Sequence, residues 1–161
     1  MKKKSIMIIN ILCFSLLAFV GIAHADVIIN EVMASNGFYE SGHAWDWVEL
    51  YNDGKETVDL SGWGFTDSKK DLYKFTFPDG AKLKGGEYLT IWCTGKENKT
   101  PGKGKEFYAD FKISASGEKL RLTNADEEEI QKLELPCSLP SRSISPIQPS
   151  GSGYAILPVW A

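Results

Sequence analysis

The sequence contains few of the side chains that most often bind transition metals. Only two of its 161 residues are histidines and three are cysteines. His43, Asp46 and Glu49 come nearest to a metal-binding or acid–base cluster. On a strand, however, Asp46 and Glu49 would point to opposite faces, and a zinc site needs at least three protein ligands. We therefore predict no metal site and no cofactor.

Catalytic motifs are lacking as well. Ser61 lies in Leu-Ser-Gly-Trp, which lacks the first glycine and the strand–turn–helix context of a nucleophile elbow. Asp67, Asp71, Asp79 and Asp126 do not have the spacing of a calcium-binding loop, and turn geometry alone favours aspartate at such positions. The sequence therefore predicts no catalytic residues and a protein that is not an enzyme.

The chain also lacks a concentration of positive charge. Its 18 lysines and arginines are outnumbered by 21 aspartates and glutamates, which gives a formal net charge of −3. Binding to nucleic acid or to anionic lipid relies on clustered basic side chains. The Lys103-Gly104-Lys105 grouping is best explained as part of a solvated loop. Nucleic acid is therefore not a predicted partner.

Residues 1–25 have the pattern of a signal peptide. Three lysines at positions 2–4 precede the apolar run 6–22, and Ala23-His24-Ala25 provides a small-residue cleavage site before Asp26. A membrane-spanning helix of about 17–20 residues is the alternative, but no stop-transfer flank follows the run. We expect an exported protein (periplasmic, at the cell surface or secreted) with no integral membrane span after cleavage.

The remaining sequence shows no convincing helical period and instead alternates in the manner of strands. Within the central stretch 46–68, Val48 and Leu50 alternate with Glu49 and Tyr51, and a turn signal begins at Asn52. Further extended segments are expected at 26–34, 72–77, 87–94, 107–113, 118–124 and 130–135. Turn signals every eight to twelve residues indicate an all-β, immunoglobulin-like antiparallel β-sandwich.

Strand alternation also assigns residues to faces. In the first strand, the pattern groups Val27, Ile29 and Met33 on one face, and Ile28, Val32 and Ala34 on the other. In segment 87–94 it groups Leu89, Ile91 and Cys93 on one face, opposite Tyr88 and Trp92.

The composition changes at Pro136 to proline, serine and glycine. Such a segment buries little apolar surface, so residues 136–161 are predicted to be a tail or linker, with 153–157 as a candidate last edge strand. The predicted organisation is a signal peptide at 1–25, a β-sandwich domain at 26–135 and this tail.

Five blocks of the sequence resemble the lamin-tail domain family in combination and in order: 30–36, 46–52, 59–63, 75–78 and 111–118. The resemblance covers roughly residues 27–135 and implies an immunoglobulin-like sandwich. It identifies the chain as similar to bacterial exported members, in which such domains are accessory modules of exported and surface proteins. The family contributes no catalytic residues to carry over.

Two cysteines, Cys93 and Cys137, remain after signal cleavage. In an oxidising compartment they could form a disulfide that attaches the tail to the sandwich. Two unpaired thiols are the alternative.

Aromatic residues are numerous for so short a chain, with five tryptophans and six tyrosines. Trp47, Tyr88 and Trp92 form a candidate ligand platform, since an exposed row of rings can hold sugar rings. The alternative is that this face packs beneath a loop, which we favour on the sequence.

The sequence thus predicts a non-catalytic binding or interaction module whose partner is a protein or polysaccharide of the cell envelope. A carbohydrate-binding β-sandwich that uses exposed aromatic residues is the alternative. An enzyme would need a carboxylate pair in one pocket, and the sequence indicates none. The oligomeric state does not follow from the sequence.

Overall fold

The computed structural model describes residues 27–36, 44–97, 100, 102–137, 143–146 and 154–156. These residues form strands and turns, and none of them belongs to a helix that could cross a membrane. The strands are β1 (Val27–Met33), β2 (Asp46–Asn52), β3 (Val58–Asp59), β4 (Gly64–Thr66), β5 (Phe75–Thr76), β6 (Lys82–Leu83), β7 (Tyr88–Cys93), β8 (Gly102–Lys103), β9 (Glu106–Ala109), β10 (Lys119–Thr123), β11 (Glu129–Glu134), β12 (Ser143–Pro146) and β13 (Tyr154–Ile156).

The strands form a large sheet and two smaller ones. The large sheet has the order β13-β12-β1-β2-β7-β9-β8, the second has the order β11-β10-β4-β5, and β3 pairs with β6. The all-β prediction is confirmed. The pairing of β7 with β9 is parallel, unlike the antiparallel pairing expected of the sandwich. The chain between them returns to the start of β7 before β9 begins.

The core lies between the large sheet and the smaller ones. Alternate residues of each strand are buried, as the period-2 pattern predicts. The large sheet contributes Val27, Ile29, Val48, Leu50, Leu89, Ile91, Cys93 and Phe107, and the facing elements contribute Leu60, Phe65, Phe75, Phe77, Leu83, Leu120, Leu122 and Leu133. The predicted grouping of Leu89, Ile91 and Cys93 on one face is confirmed.

A β-bulge changes the face assignment of β1. The pairing with β2 shifts register between Ile29 and Glu31, so one extra residue enters β1. Val32 consequently lies on the same buried side as Val27 and Ile29, and the predicted grouping of Val32 with Ile28 is wrong. The Gln131 side chain of the second sheet accepts a hydrogen bond from the Ile29 amide at 2.6 Å.

Two short strands from the predicted tail belong to the large sheet. β12 pairs with β1, and β13 pairs with β12 at the edge. The expected edge strand at 153–157 agrees with β13, whereas β12 was not predicted. Both strands lie within residues 136–161, the segment predicted to be a tail or linker.

Candidate functional site

The outer face of the large sheet, which points away from the core, carries a row of aromatic side chains. Trp47 on β2 lies opposite Trp92 on β7, and Trp92 lies beside Tyr108 on β9. Trp45 contacts Tyr108 edge-on, with ring centroids 6.1 Å apart and planes at 83°. All four side chains are partly exposed. We call Trp45, Trp47, Trp92 and Tyr108 the aromatic cluster.

Tyr88 lies on the same face but at the other end of β7. It stacks on Tyr51, with centroids 4.4 Å apart and planes at 26°, and 46% of its surface is exposed. Four residues along a strand separate Tyr88 from Trp92, a distance of about 13 Å. Of the candidate platform, the structure therefore brings Trp47 and Trp92 together and leaves Tyr88 apart. The expectation that the face is buried does not hold for Tyr88.

Sequence reasoning missed Tyr108 and Trp45 as members of this site. The alternation of Phe107, Tyr108 and Ala109 indicates that Tyr108 points outward. Nothing in the sequence reveals that β9 lies beside β7, because the two strands pair in parallel across a long connection.

A polar row crosses the sheet between the aromatic cluster and the Tyr51–Tyr88 pair. Glu31 lies opposite Glu49, Glu49 opposite Thr90, and Thr90 beside Glu106. Burial raises the pKa of Glu49, and a 2.8 Å hydrogen bond from the Asn30 side-chain amide partly opposes that shift. Carboxylates and aromatic rings are therefore neighbours on this face.

A cavity of about 470 Å³ opens at the edge of the sheet, next to the aromatic cluster. Its lining residues are Thr100, Gly102, Lys103, Glu106 and Tyr108. Gly102 has a φ of +84°, and a Cβ there would overlap the Glu106 carbonyl oxygen and lie 2.7 Å from the Phe107 Cα. Only glycine fits this close approach of β8 to β9.

The residues considered for metal or acid–base chemistry have structural roles or lie apart. Asp46 is buried and accepts hydrogen bonds from the backbone amides of Asn36 and Ile113, at 3.0 and 2.9 Å. Glu49 lies on the outer face, so the expected separation from Asp46 is confirmed, and His43 lies outside the described residues. In the described part of the chain, no three potential metal ligands come together.

Most of the chain matches one protein family. The model of the Lamin Tail Domain matches residues 22–136. The chain belongs to the lamin-tail domain family. No curated protein matches it. This family consists of non-catalytic, immunoglobulin-like domains, and both the aromatic cluster and the cavity lie inside the matched region. Strands β12 and β13 follow it.

The two cysteines considered for a disulfide lie in different environments of this lamin-tail domain. Cys93 is a free thiol that faces the core and is fully buried, whereas Cys137 is exposed at the surface beside Gly117. Burial, and then the negative charge of Asp46, raises the pKa of the Cys93 thiol well above its usual value. A buried thiol of this kind reacts slowly, because the thiolate is the nucleophile.

At another surface of the lamin-tail domain, Glu118 is a half-buried carboxylate. It accepts a 2.8 Å hydrogen bond from the Ser114 amide. Burial raises its pKa to about 7; the Ser114 bond lowers it, and the charge of Asp67 adds to the rise. Lys74 forms an ion pair with Asp67 at 2.8 Å and lies 4.7 Å from the centre of the Phe111 ring.

Glu118→Gln is expected to stabilise the protein at pH 8 and to have little effect at pH 4. The Glu118 carboxyl group holds its proton more tightly in the folded state than in the unfolded state, where its pKa is near 4.5. Stability is therefore lost as the pH rises through 7. Glutamine cannot ionise and still accepts the Ser114 bond, so we expect a gain of about 1 kcal/mol at pH 8 after solvent screening is allowed for. Urea denaturation at both pH values measures the effect, and an equal gain at pH 4 would contradict this explanation.

Proposed function

We propose that this lamin-tail domain is a non-catalytic binding module that associates with a protein or polysaccharide of the cell envelope. The observation that carries the proposal is the aromatic cluster, in which Trp47, Trp92 and Tyr108 lie side by side on neighbouring strands and keep part of their surface exposed. Tryptophan and tyrosine contribute much of the binding energy at protein interfaces. A face built in this way is suited to binding.

The proposal that the whole protein lacks enzymatic activity rests on the family and on the placement of its acidic residues. Asp46 and Glu49, the two carboxylates considered together with His43, lie on opposite sides of the sheet. An acid–base pair has to converge on one substrate position, and these two do not.

Export is supported by the sequence of residues 1–25. The basic start, the apolar run and the Ala23-His24-Ala25 site together favour removal of this segment before Asp26. The mature chain would then act outside the cytoplasm, in the periplasm, at the cell surface or after secretion, with a formal charge of −6.

A saccharide is the second candidate partner, favoured by the carboxylates beside the aromatic rings. The apolar face of a sugar ring packs on an aromatic ring, while its hydroxyl groups donate hydrogen bonds to carboxylate oxygens. Glu49 and Glu106 lie in the polar row adjoining Trp47, Trp92 and Tyr108. Both kinds of contact are thus available on one face.

Trp92→Ala is expected to weaken binding of the partner by about tenfold or more, because it removes the central ring of the cluster. The full chain is expressed with its own N-terminus, and the product is used in a pull-down from envelope extract and in a glycan-array screen. An intact mass that corresponds to residues 26–161 verifies export.

Tyr88→Ala is the matched control for Trp92→Ala, since it removes a ring from the same face of the same strand but outside the cluster. Its binding should resemble that of the unmodified protein. Equal losses in both variants would contradict the assignment of binding to the aromatic cluster. If no glycan and no envelope protein binds in a way that depends on Trp92, the proposed function is overturned.

A further inference from the structure

We propose that the cavity at the β8–β9 edge binds one uncharged sugar unit of a glycan whose neighbouring units lie on the aromatic cluster. This inference rests on the proposed binding function and specifies the ligand class. The features that carry it are the continuity of the cavity with the cluster, its size, and the balance of charge in its lining.

Tyr108 makes the cavity and the aromatic cluster one continuous surface. Its ring lines the cavity, and it also lies beside Trp92 and in edge contact with Trp45. Trp45 is itself held in place, because its ring nitrogen donates a 2.7 Å hydrogen bond to the Glu97 carboxylate. A chain of sugar rings that packs on Trp47 and Trp92 would therefore reach the cavity at Tyr108.

The size of the cavity suits a small polar ligand or part of one. Its volume of about 470 Å³ falls within the range of about 300–1,000 Å³ that is typical of small-molecule sites. The wall at β8 is fixed by the close approach of Gly102 to the backbone of β9. The β8–β9 side of the space is therefore set by backbone packing within the sheet.

The charges of the lining favour an uncharged ligand rich in hydroxyl groups. Lys103 and Glu106 lie directly opposite each other in the β8–β9 pairing, and both line the cavity. The ammonium group donates hydrogen bonds and the carboxylate accepts them, while the Thr100 hydroxyl can do both. Because the two charges balance, the lining offers no net electrostatic attraction to a polyanion or to a polycation. A neutral sugar can satisfy both groups at once.

The test measures binding to the protein obtained from expression of the full chain, by isothermal titration calorimetry with three hexasaccharides. The probes are β-1,4-linked glucose, β-1,4-linked N-acetylglucosamine and the anionic α-1,4-linked galacturonate. We expect at least one neutral hexasaccharide to bind and the galacturonate to bind at least tenfold more weakly. We also expect Tyr108→Ala and Glu106→Gln to weaken neutral binding by tenfold or more. Glu56→Gln makes the same chemical change at an exposed position away from the cavity and should leave binding unchanged.

The alternative results separate this inference from the proposed function. Glycan binding that is lost in Trp92→Ala but unchanged in Glu106→Gln and Tyr108→Ala would overturn the proposal that the cavity binds a sugar unit. The proposed binding face would remain supported. Equal affinity for the galacturonate would overturn the preference for an uncharged sugar. If neither neutral hexasaccharide binds and an envelope protein is captured only when Trp92 is present, the partner is a protein and the proposal of a glycan ligand is overturned. Tyr108→Phe keeps the ring and should bind normally, and urea unfolding of Tyr108→Ala shows whether that variant is folded.

Discussion

Asn52→Asp is expected to lower the free energy of unfolding by about 3 kcal/mol, since it places a charge against buried carbonyl groups. Asn52 has no exposed surface. Its side-chain amide donates to the backbone carbonyls of Glu56 and Leu83, at 2.8 and 2.9 Å, and its oxygen accepts from the Gly54 amide at 3.0 Å. An ionised aspartate keeps the Gly54 contact but cannot donate, so both carbonyl groups lose this donor.

Urea denaturation of Asn52→Asp at pH 7 and at pH 3 measures this effect. At pH 3 a protonated aspartate can donate one hydrogen bond again, so part of the lost stability should return. Asp53→Asn, at the exposed neighbouring position, changes the net charge by one unit and should alter stability by less than about 0.5 kcal/mol. A small effect of Asn52→Asp at pH 7 would show that the Asn52 side chain does not hold β2 and β6 together.

Phe107→Ala is expected to lower the free energy of unfolding by about 4 kcal/mol. Phe107 is 1% exposed, and its ring lies edge-on to Phe77 with centroids 4.9 Å apart and at 6.4 Å from that of Phe75. Phe107 comes from the large sheet, whereas Phe75 and Phe77 belong to the opposite layer. The substitution would leave a cavity between the layers that rigid strands cannot close.

Thermal and urea unfolding of Phe107→Ala and of Phe107→Leu should rank the two by the volume removed, with leucine costing less than half as much as alanine. Tyr108→Ala, at the adjacent but outward-facing position, should lose little stability, because its ring is not part of the core. If Tyr108→Ala were as destabilising as Phe107→Ala, the assignment of inner and outer faces of β9 would be wrong. This comparison also shows whether Tyr108→Ala is folded enough for the binding test.

Several features could be predicted because they depend on neighbouring residues only. Alternation placed Leu89, Ile91 and Cys93 in the core and left Tyr88 and Trp92 on the other face of β7, and the structure agrees. The same alternation identified the inward side of β2 at Val48 and Leu50. A period of two residues is a property of the extended backbone, so it can be recognised without knowing which strands are neighbours.

The candidate site could be predicted only in part, because it is formed by residues from several strands. Trp47 and Trp92 could be assigned to outward positions, but their separation from Tyr88 and their contact with Tyr108 depend on strand pairing. The cavity requires β8 to approach β9 at Gly102, more than fifty residues along the chain from Trp47. Such contacts link distant parts of the sequence and leave no local pattern.

Apolar alternation and turn residues act locally, so the sandwich of short strands and the faces that most of them bury follow from the amino-acid sequence alone. The β1 bulge that brings Val32 into the core arises only when the strands pair. The tertiary structure also changed the role of Asn52, which has the sequence context of a turn residue but becomes a buried link between β2 and β6. Pairing and burial are set by the free energy of the whole fold, in which a buried polar group has to find its partners wherever the chain provides them.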